Sequence, residues 1–157
     1  MADARMWNAV KPNIRSVDLL ELTDFFSDLD GKQLESIAAI SRQEHFGAGA
    51  EIYHFGQSPE NFYVLIDGIV RFTVGHGVRR ASAGELIHRG QVIGWAALVE
   101  GAPKRTATAV CLTGCSVLTI RGRDLLTLME DDVRMGYLVM KRLNRLINGQ
   151  VTSFAAG

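Results

Sequence analysis

The sequence contains few of the residues that mark disulfide-rich, fibrous or membrane-spanning proteins. Its 157 residues include only two cysteines and three prolines, and no apolar run reaches the roughly 18 residues of a membrane-spanning helix. Hydrophobic residues make up 47% of the chain and charged residues 22%, which is typical of an ordinary globular protein. The composition therefore predicts one globular domain that does not cross a membrane.

The sequence also lacks net charge, because Lys plus Arg and Asp plus Glu both total 17. A neutral chain has no long-range field that gathers polyanions, which argues against a general nucleic-acid binder. Asp3 and Arg5 precede no apolar segment of the secretory type. We therefore expect a cytoplasmic protein.

Motifs for catalysis and metal binding are missing as well. The sequence has no Gly-x-Ser-x-Gly, no Walker loop and no His-Glu-x-x-His. Its histidines are His45, His54, His76 and His88. No two of them form a His-x-His pair, so surface or structural roles are expected rather than a cupin-type metal site. Cys111 and Cys115 cannot complete a four-ligand site alone, and we expect free cysteines. The sequence predicts no catalysis, no metal and no cofactor.

The order of local patterns predicts a mainly β domain between helices. Residues 17–41 show helical apolar spacing in two segments, with Asp30-Gly31 ending the first. Short β-rich pieces separated by glycines fill residues 43–120, as in a β-sandwich or small barrel. Residues 122–148 are helical again, with an interruption at Asp131-Asp132. The predicted strands cover residues 45–46, 51–54, 62–66, 69–74, 78–82, 90–93, 106–112 and 116–120. Residues 1–16 are expected to form a flexible arm, residues 17–150 the domain and residues 151–157 a tail.

This order resembles the cyclic-nucleotide-binding domain of the Crp/Fnr sensor type, from about residue 17 to residue 148. The motifs that carry the resemblance are Gly49-Ala50-Glu51-Ile52, Phe55-Gly56, the run from Tyr63 to Val70, and Gly90-Gln91-Val92-Ile93-Gly94. The resemblance implies a jelly-roll-like β-roll, or double-stranded β-helix, with N-terminal helices and a long C-terminal helix. It also implies a non-catalytic sensor or regulatory module for cAMP or cGMP.

The same resemblance places a phosphate-binding cassette at residues 93–98 and 103–109. Gly94 would let the chain turn into a short helix over residues 95–99, and Arg105 would offer a planar cationic fork to phosphate oxygens. The expected ligand contacts are Gly94, Trp95, Ala96, Ala97, Arg105, Thr106 and Ala107. Thr106 resembles the guanine-contacting threonine of cGMP-selective relatives, although a β-branched residue also suits a strand.

Trp95 departs from the family pattern, which usually has a glutamate that accepts the ribose 2'-hydroxyl. An indole N–H donates but cannot accept. Loss of such a charged hydrogen bond costs about 1.5–3 kcal/mol, which weakens binding roughly tenfold to a few hundredfold. Alternatively, Trp95 fills the ribose site, stacks on a different anionic ligand, or plugs the pocket of a purely structural interaction module. A cupin-like metal-dependent enzyme is a further alternative.

The C-terminal helix is predicted to carry both the signal and a dimer interface. One face follows heptad-like spacing and comprises Val133, Tyr137, Met140, Asn144 and Ile147. An adjacent apolar face comprises Met135, Val139, Leu143 and Leu146. One face would cover the β-roll and the other would pair with a second copy in a homodimer. Crp/Fnr regulators continue into a helix-turn-helix domain, but the chain stops at Gly157. We therefore expect no direct DNA binding and output through a dimer partner or another protein, unless the chain is a fragment.

Overall fold

The computed structural model describes residues 15–75, 77–149 and 156–157. Within these ranges, eight antiparallel strands form two four-stranded sheets, and helices flank them at both ends. The predicted β-roll is therefore confirmed. Residues 1–14 of the predicted arm and residues 151–155 of the predicted tail lie outside the described residues.

The helices and strands are defined as follows. The helices are α1 (Ser16–Leu20), α2 (Gly31–Ala39), α3 (Gly122–Asp131) and α4 (Val133–Gly149). The strands are β1 (Ser41–Phe46), β2 (Glu51–Tyr53), β3 (Asn61–Asp67), β4 (Val70–Val74), β5 (Ala81–Ile87), β6 (Val92–Ile93), β7 (Thr108–Cys111) and β8 (Cys115–Arg121). Short 3-10 turns lie at Asp24–Phe26, Gly77–Arg79 and Trp95–Leu98. In the ranges described, no helix is long and apolar enough to cross a bilayer.

The first sheet has an apolar core on both faces, and the second sheet has one between itself and the first. The strand orders are β1-β8-β3-β6 and β2-β7-β4-β5. Strand β3 contributes to two cores because successive side chains of a strand point to opposite faces. Phe62 and Val64 belong to a core shared with the helices, whereas Tyr63 and Leu65 belong to a core with residues of the second sheet. The second of these, the inter-sheet core, also contains the candidate site.

The N-terminal helical region is more broken than its apolar spacing predicts. Helix α1 ends at Leu20, and the hydroxyl of Thr23 accepts the N–H of Phe25 at 3.2 Å to begin a 3-10 turn. A threonine hydroxyl offers the backbone this alternative to continued helix. The prediction that Asp30-Gly31 ends a helix is also wrong, since Asp30 caps the start of α2 together with Gln33.

The strand predicted at residues 78–82 is replaced by a 3-10 turn at Gly77–Arg79 followed by β5. Gly84, which lies outside the predicted strands, is inside β5 with a φ of +71°. The pairing of β4 with β5 shifts register between Val70 and Phe72, opposite this part of β5. An irregularity of this kind accommodates a positive-φ glycine without ending the strand.

Asp132 joins the two C-terminal helices and ties them to the N-terminal ones. Its carboxylate accepts the N–H of Met135 at 3.0 Å and the side-chain amide of Gln33 at 3.1 Å. The Met135 N–H, with help from Gln33, lowers the pKa of Asp132. The interruption predicted at Asp131-Asp132 is therefore a helix start capped by a carboxylate.

The two faces predicted for the C-terminal helix have different environments in α4. Met135, Val139 and Leu143 are buried in the core shared with the helices. Tyr137 is 63% exposed and Met140 is 37% exposed, so these two side chains do not cover the chain's own β-roll. The exposed face remains available for a partner.

Gly122, the first residue of α3, lies against the cassette turn at Trp95–Leu98. A Cβ on Gly122 would lie 2.9 Å from the Cβ of Ala97 and 2.8 Å from its carbonyl carbon. We expect Gly122→Ala to destabilise the fold by about 1–3 kcal/mol, because backbone has to move to relieve this overlap. Gly31→Ala is the matched control, since Gly31 also begins a helix and a Cβ there meets nothing within 4 Å. Urea unfolding of both variants measures the difference, and equal midpoints would contradict the tight contact.

Candidate functional site

Arg105 is the centre of the candidate site. It lies three residues before Thr108, the buried start of β7, and is only 2% exposed. Its Nη1 donates to the backbone oxygen of Gly157 and its Nη2 donates to the backbone oxygen of Asn61, both at 2.6 Å. Burial lowers the pKa of Arg105. Both hydrogen bonds use the edge of the guanidinium, so its planar face is free to contact an aromatic neighbour.

That neighbour is Tyr53 at the end of β2. The guanidinium carbon of Arg105 lies 4.3 Å from the centre of the Tyr53 ring, within the range of a cation–π contact. The ring of Tyr63 is stacked beside Tyr53, with centroids 6.1 Å apart. Burial raises the pKa of both tyrosines, so neither supplies a negative charge near neutral pH.

The charge of Arg105 has no side-chain carboxylate partner in the described part of the chain. None of the ion pairs found among those residues involves Arg105, and its Nε has no hydrogen-bond partner among them. A buried cation with only backbone and aromatic neighbours is costly compared with one paired to an anion. The site is therefore chemically suited to an anionic group.

Gly94 makes the turn that the sequence predicts. It adopts the left-handed conformation, with φ +79° and ψ 27°, and the 3-10 turn Trp95–Leu98 follows directly. A Cβ on Gly94 would lie 2.8 Å from the carbonyl oxygen of Asn61 and 3.2 Å from Nη1 of Arg105. A glycine at this position is needed both for the turn and for the space that Arg105 occupies.

The other predicted ligand contacts have different environments. Trp95 is half-buried and packs against both cores. Ala96 and Ala107 are buried, and Thr106 is exposed. Ala97 faces Gly122 of α3. Gly94, Trp95 and Arg105 are thus close together, whereas Ala97 lies at the contact with the C-terminal helices.

Ala156 and Gly157 belong to the site, although no sequence pattern indicates them. The N–H of Gly94 donates to the backbone oxygen of Ala156 at 2.5 Å, and Ala156 is 3% exposed. Gly157 lies against the ring of Trp95. Two small residues far along the chain from the cassette carry no motif, and their sequence predicts only a tail.

A cavity of about 440 Å³ adjoins the site on the side of α4. Its walls include Glu85, Ile87 and Gln91 from the β-roll and Arg142 and Leu146 from α4. Ala156 also lines it. The volume lies in the range of small-molecule pockets, and Ala156 is shared by the cavity and the Arg105 site.

The described residues do not assemble a metal centre. No three His, Cys, Asp or Glu side chains in the described ranges are placed to hold one ion, and His76 lies outside those ranges. Nδ1 of His45 lies 3.3 Å from the hydroxyl of Ser116 in the neighbouring strand. Cys111 and Cys115 are buried and not disulfide-bonded.

Comparison with known proteins agrees with this architecture. Residues 43–132 match the family model described as the cyclic nucleotide-binding domain. A candidate cyclic nucleotide-binding protein from Geobacter metallireducens aligns with a TM-score of 0.73 at 23% identity, covering 83% of this chain and 94% of that one. The sensor domain of the transcriptional regulator DNR from Pseudomonas aeruginosa aligns with a TM-score of 0.70 at 20% identity, covering 83% and 87%.

A third solved structure is the regulatory domain of Toxoplasma gondii PKA with cAMP. It aligns with a TM-score of 0.67 at 22% identity, and the alignment covers 82% of this chain and 49% of that one. No curated protein sequence matches this chain. At these identities the structural likeness establishes the fold, and the family match covers more than half of the chain.

Proposed function

The chain belongs to the cyclic nucleotide-binding domain family, and from this premise we propose that it is a non-catalytic sensor module. The module binds a small phosphate-bearing ligand of the cAMP or cGMP class at Arg105 and signals through its C-terminal helices. The observation that carries the proposal is the buried guanidinium of Arg105, which has no Asp or Glu partner in the described residues.

A phosphate would complete the surroundings of Arg105. The guanidinium presents parallel N–H groups that match two oxygens of one phosphate, and such charge-assisted bonds are roughly twice as strong as neutral ones. The N–H of Gly94 supplies a further donor within the same small region, since Gly94 lies close to Nη1. Both donors are held by the fold, which lowers the entropy that binding has to pay.

The proposed ligand class follows from the family, and the proposed weakness follows from Trp95. The relative from Toxoplasma gondii holds cAMP. In this chain, the position where family binders usually have an acceptor for the ribose hydroxyl is occupied by an indole that only donates. We therefore expect cAMP and cGMP to bind more weakly than they do to a member with a glutamate there.

Trp95→Glu tests this part of the proposal. The variant is expected to bind cAMP at least about tenfold more tightly than the unaltered chain, because a carboxylate accepts the ribose hydroxyl. Trp95→Phe is the control, since it also alters the indole but supplies no acceptor. Isothermal titration calorimetry of the two variants decides the matter. Equal affinities would reject the acceptor argument and would favour a pocket closed for other reasons.

The route for the signal is supported by the contact between Ala97 and Gly122. A ligand at Arg105 that moves the cassette turn would push on the first residue of α3 directly. Helix α3 leads into α4 through Asp132, which also contacts α2. A shift of the cassette would therefore reach the exposed face of α4.

We also propose that this exposed face pairs two copies of the chain. Val133 and Tyr137 are 78% and 63% exposed. Apolar side chains of this size along one helix face favour burial against a partner. The partner that receives the signal would then be the second copy or a further protein bound to the pair.

A further inference from the structure

Ala156 and Gly157 lie inside the site around Arg105. Gly157 is 52 residues away from Arg105 in the sequence. We propose that these two residues are a built-in competitor, which occupies the anion site and has to be displaced by any phosphate-bearing ligand. The inference rests on the proposed function, because the ligand that is excluded is the one proposed above. It adds a regulatory contact that is encoded in the chain itself.

The segment uses the donors that a phosphate would need. The oxygen of Gly157 accepts from Nη1 of Arg105 at 2.6 Å, and the oxygen of Ala156 accepts from the N–H of Gly94 at 2.5 Å. These two are among the donors that the site offers to an anion. The segment and a phosphate would use the same donors and fill the same space. Docking of the segment and binding of phosphate therefore exclude each other.

The apolar contacts of the segment are equally specific. Ala156 is buried within the inter-sheet core, and Trp95 packs against that core. A Cβ on Gly157 would lie 2.6 Å from Cζ2 of Trp95 and 2.8 Å from Cε2. The planar indole therefore leaves room for a glycine at position 157, and any residue with a side chain there would overlap with its ring.

This contact also accounts for the departure at Trp95. A glutamate at this position would offer Gly157 no comparable apolar surface. A neutral indole leaves the guanidinium to the oxygen of Gly157 and adds an apolar surface beside it. The residue that weakens ribose binding is thus the residue that supports the segment.

When a segment of the same chain competes with a ligand, the apparent affinity for the ligand depends on the fraction of molecules in which the site is open. A site that is open one-tenth of the time binds its ligand about tenfold more weakly than a site that is always open. A segment on the same chain has an effective concentration in the millimolar range, so even modest contacts keep it docked for most of the time. We therefore expect its removal to tighten ligand binding by about tenfold or more.

The first test does not use a nucleotide. The chain has two tryptophans, Trp7 and Trp95, so Trp7→Phe leaves Trp95 as the only indole. In that background, a variant lacking residues 156 and 157 is compared with the full 157-residue chain by acrylamide quenching. Loss of the segment is expected to increase quenching of Trp95, and Gly157→Val is expected to do the same. Gly47→Val is the control, because a Cβ on Gly47 meets nothing within 4 Å. Unchanged quenching in both site variants would overturn docking of the segment.

The second test measures cAMP and cGMP binding to the same variants by calorimetry. The shortened chain is expected to bind about tenfold more tightly or better, and Arg105→Ala in the shortened chain is expected to remove the gain. Equal binding by the full and shortened chains, with unchanged quenching, rejects the competitor and leaves the proposed function standing. Increased quenching with no nucleotide binding by either chain, including the Trp95→Glu form, rejects the proposed function and the competition with it.

Discussion

Arg105→Ala is expected to weaken binding of cAMP or cGMP by about a hundredfold or more. The variant loses two hydrogen bonds from a charged donor, each worth about 1.5–3 kcal/mol, in a site that is mostly closed to water. A loss of about 3 kcal/mol or more corresponds to more than a hundredfold in the dissociation constant. Calorimetry with the chain lacking residues 156 and 157 gives the measurement, because competition from that segment is then absent.

Two further variants define the role of the guanidinium. Arg105→Lys retains the charge but loses the planar fork, so its affinity should fall between those of the parent and Arg105→Ala. Arg123→Ala removes an exposed arginine at the start of α3 and should leave the dissociation constant unchanged. If Arg105→Ala, with its fold verified by circular dichroism, bound as well as Arg123→Ala, the assignment of the anion site to Arg105 would be rejected.

Tyr137→Glu combined with Met140→Glu is expected to convert a dimer into a monomer. Both side chains are exposed on the face of α4 that does not cover the β-roll. In a parallel pair they would meet their counterparts, and like charges placed together at an interface cost several kcal/mol. We expect the dissociation constant of the dimer to rise by about a hundredfold or more. Sedimentation equilibrium at tens of micromolar should then give the dimer mass for the parent chain and the monomer mass for the variant.

The choice of residues for that experiment follows from their burial. Ile147 belongs to the predicted dimer face but is half-buried against the core shared with the helices, so a glutamate there would also disturb the fold. The control adds two glutamates elsewhere, as Ser36→Glu with Thr127→Glu, at exposed positions of α2 and α3. A monomeric parent would contradict the helix-mediated pair, and a dimer that survives the change in α4 would place the interface elsewhere.

The β-roll and the cassette turn could be predicted because their signals are local. Gly94 adopts the left-handed conformation that its place before a short turn requires, and the helical and strand periods alternate in the order of the family. The outcome at β5 shows the limit of such signals. Gly84 lies outside the predicted strands, but the paired strands β4 and β5 accommodate it at an irregularity of register.

The neighbours of Arg105 could not be predicted, since they come from distant parts of the chain. Tyr53 lies in β2, and no local pattern indicates that its ring faces a guanidinium. Ala156 and Gly157 have small side chains, and their contacts are made chiefly by backbone oxygens and by shape. Backbone contacts of this kind depend on the folded position of the segment rather than on residue type.

The central claim is that Arg105 holds a phosphate-bearing ligand in a site that the chain itself can close. The most direct measurement is calorimetric titration of cAMP and cGMP into the chain lacking residues 156 and 157, beside its Arg105→Ala derivative. We predict saturable binding of one nucleotide per chain that is lost in the derivative. Absence of binding at millimolar nucleotide, or binding that persists unchanged without Arg105, would contradict the claim.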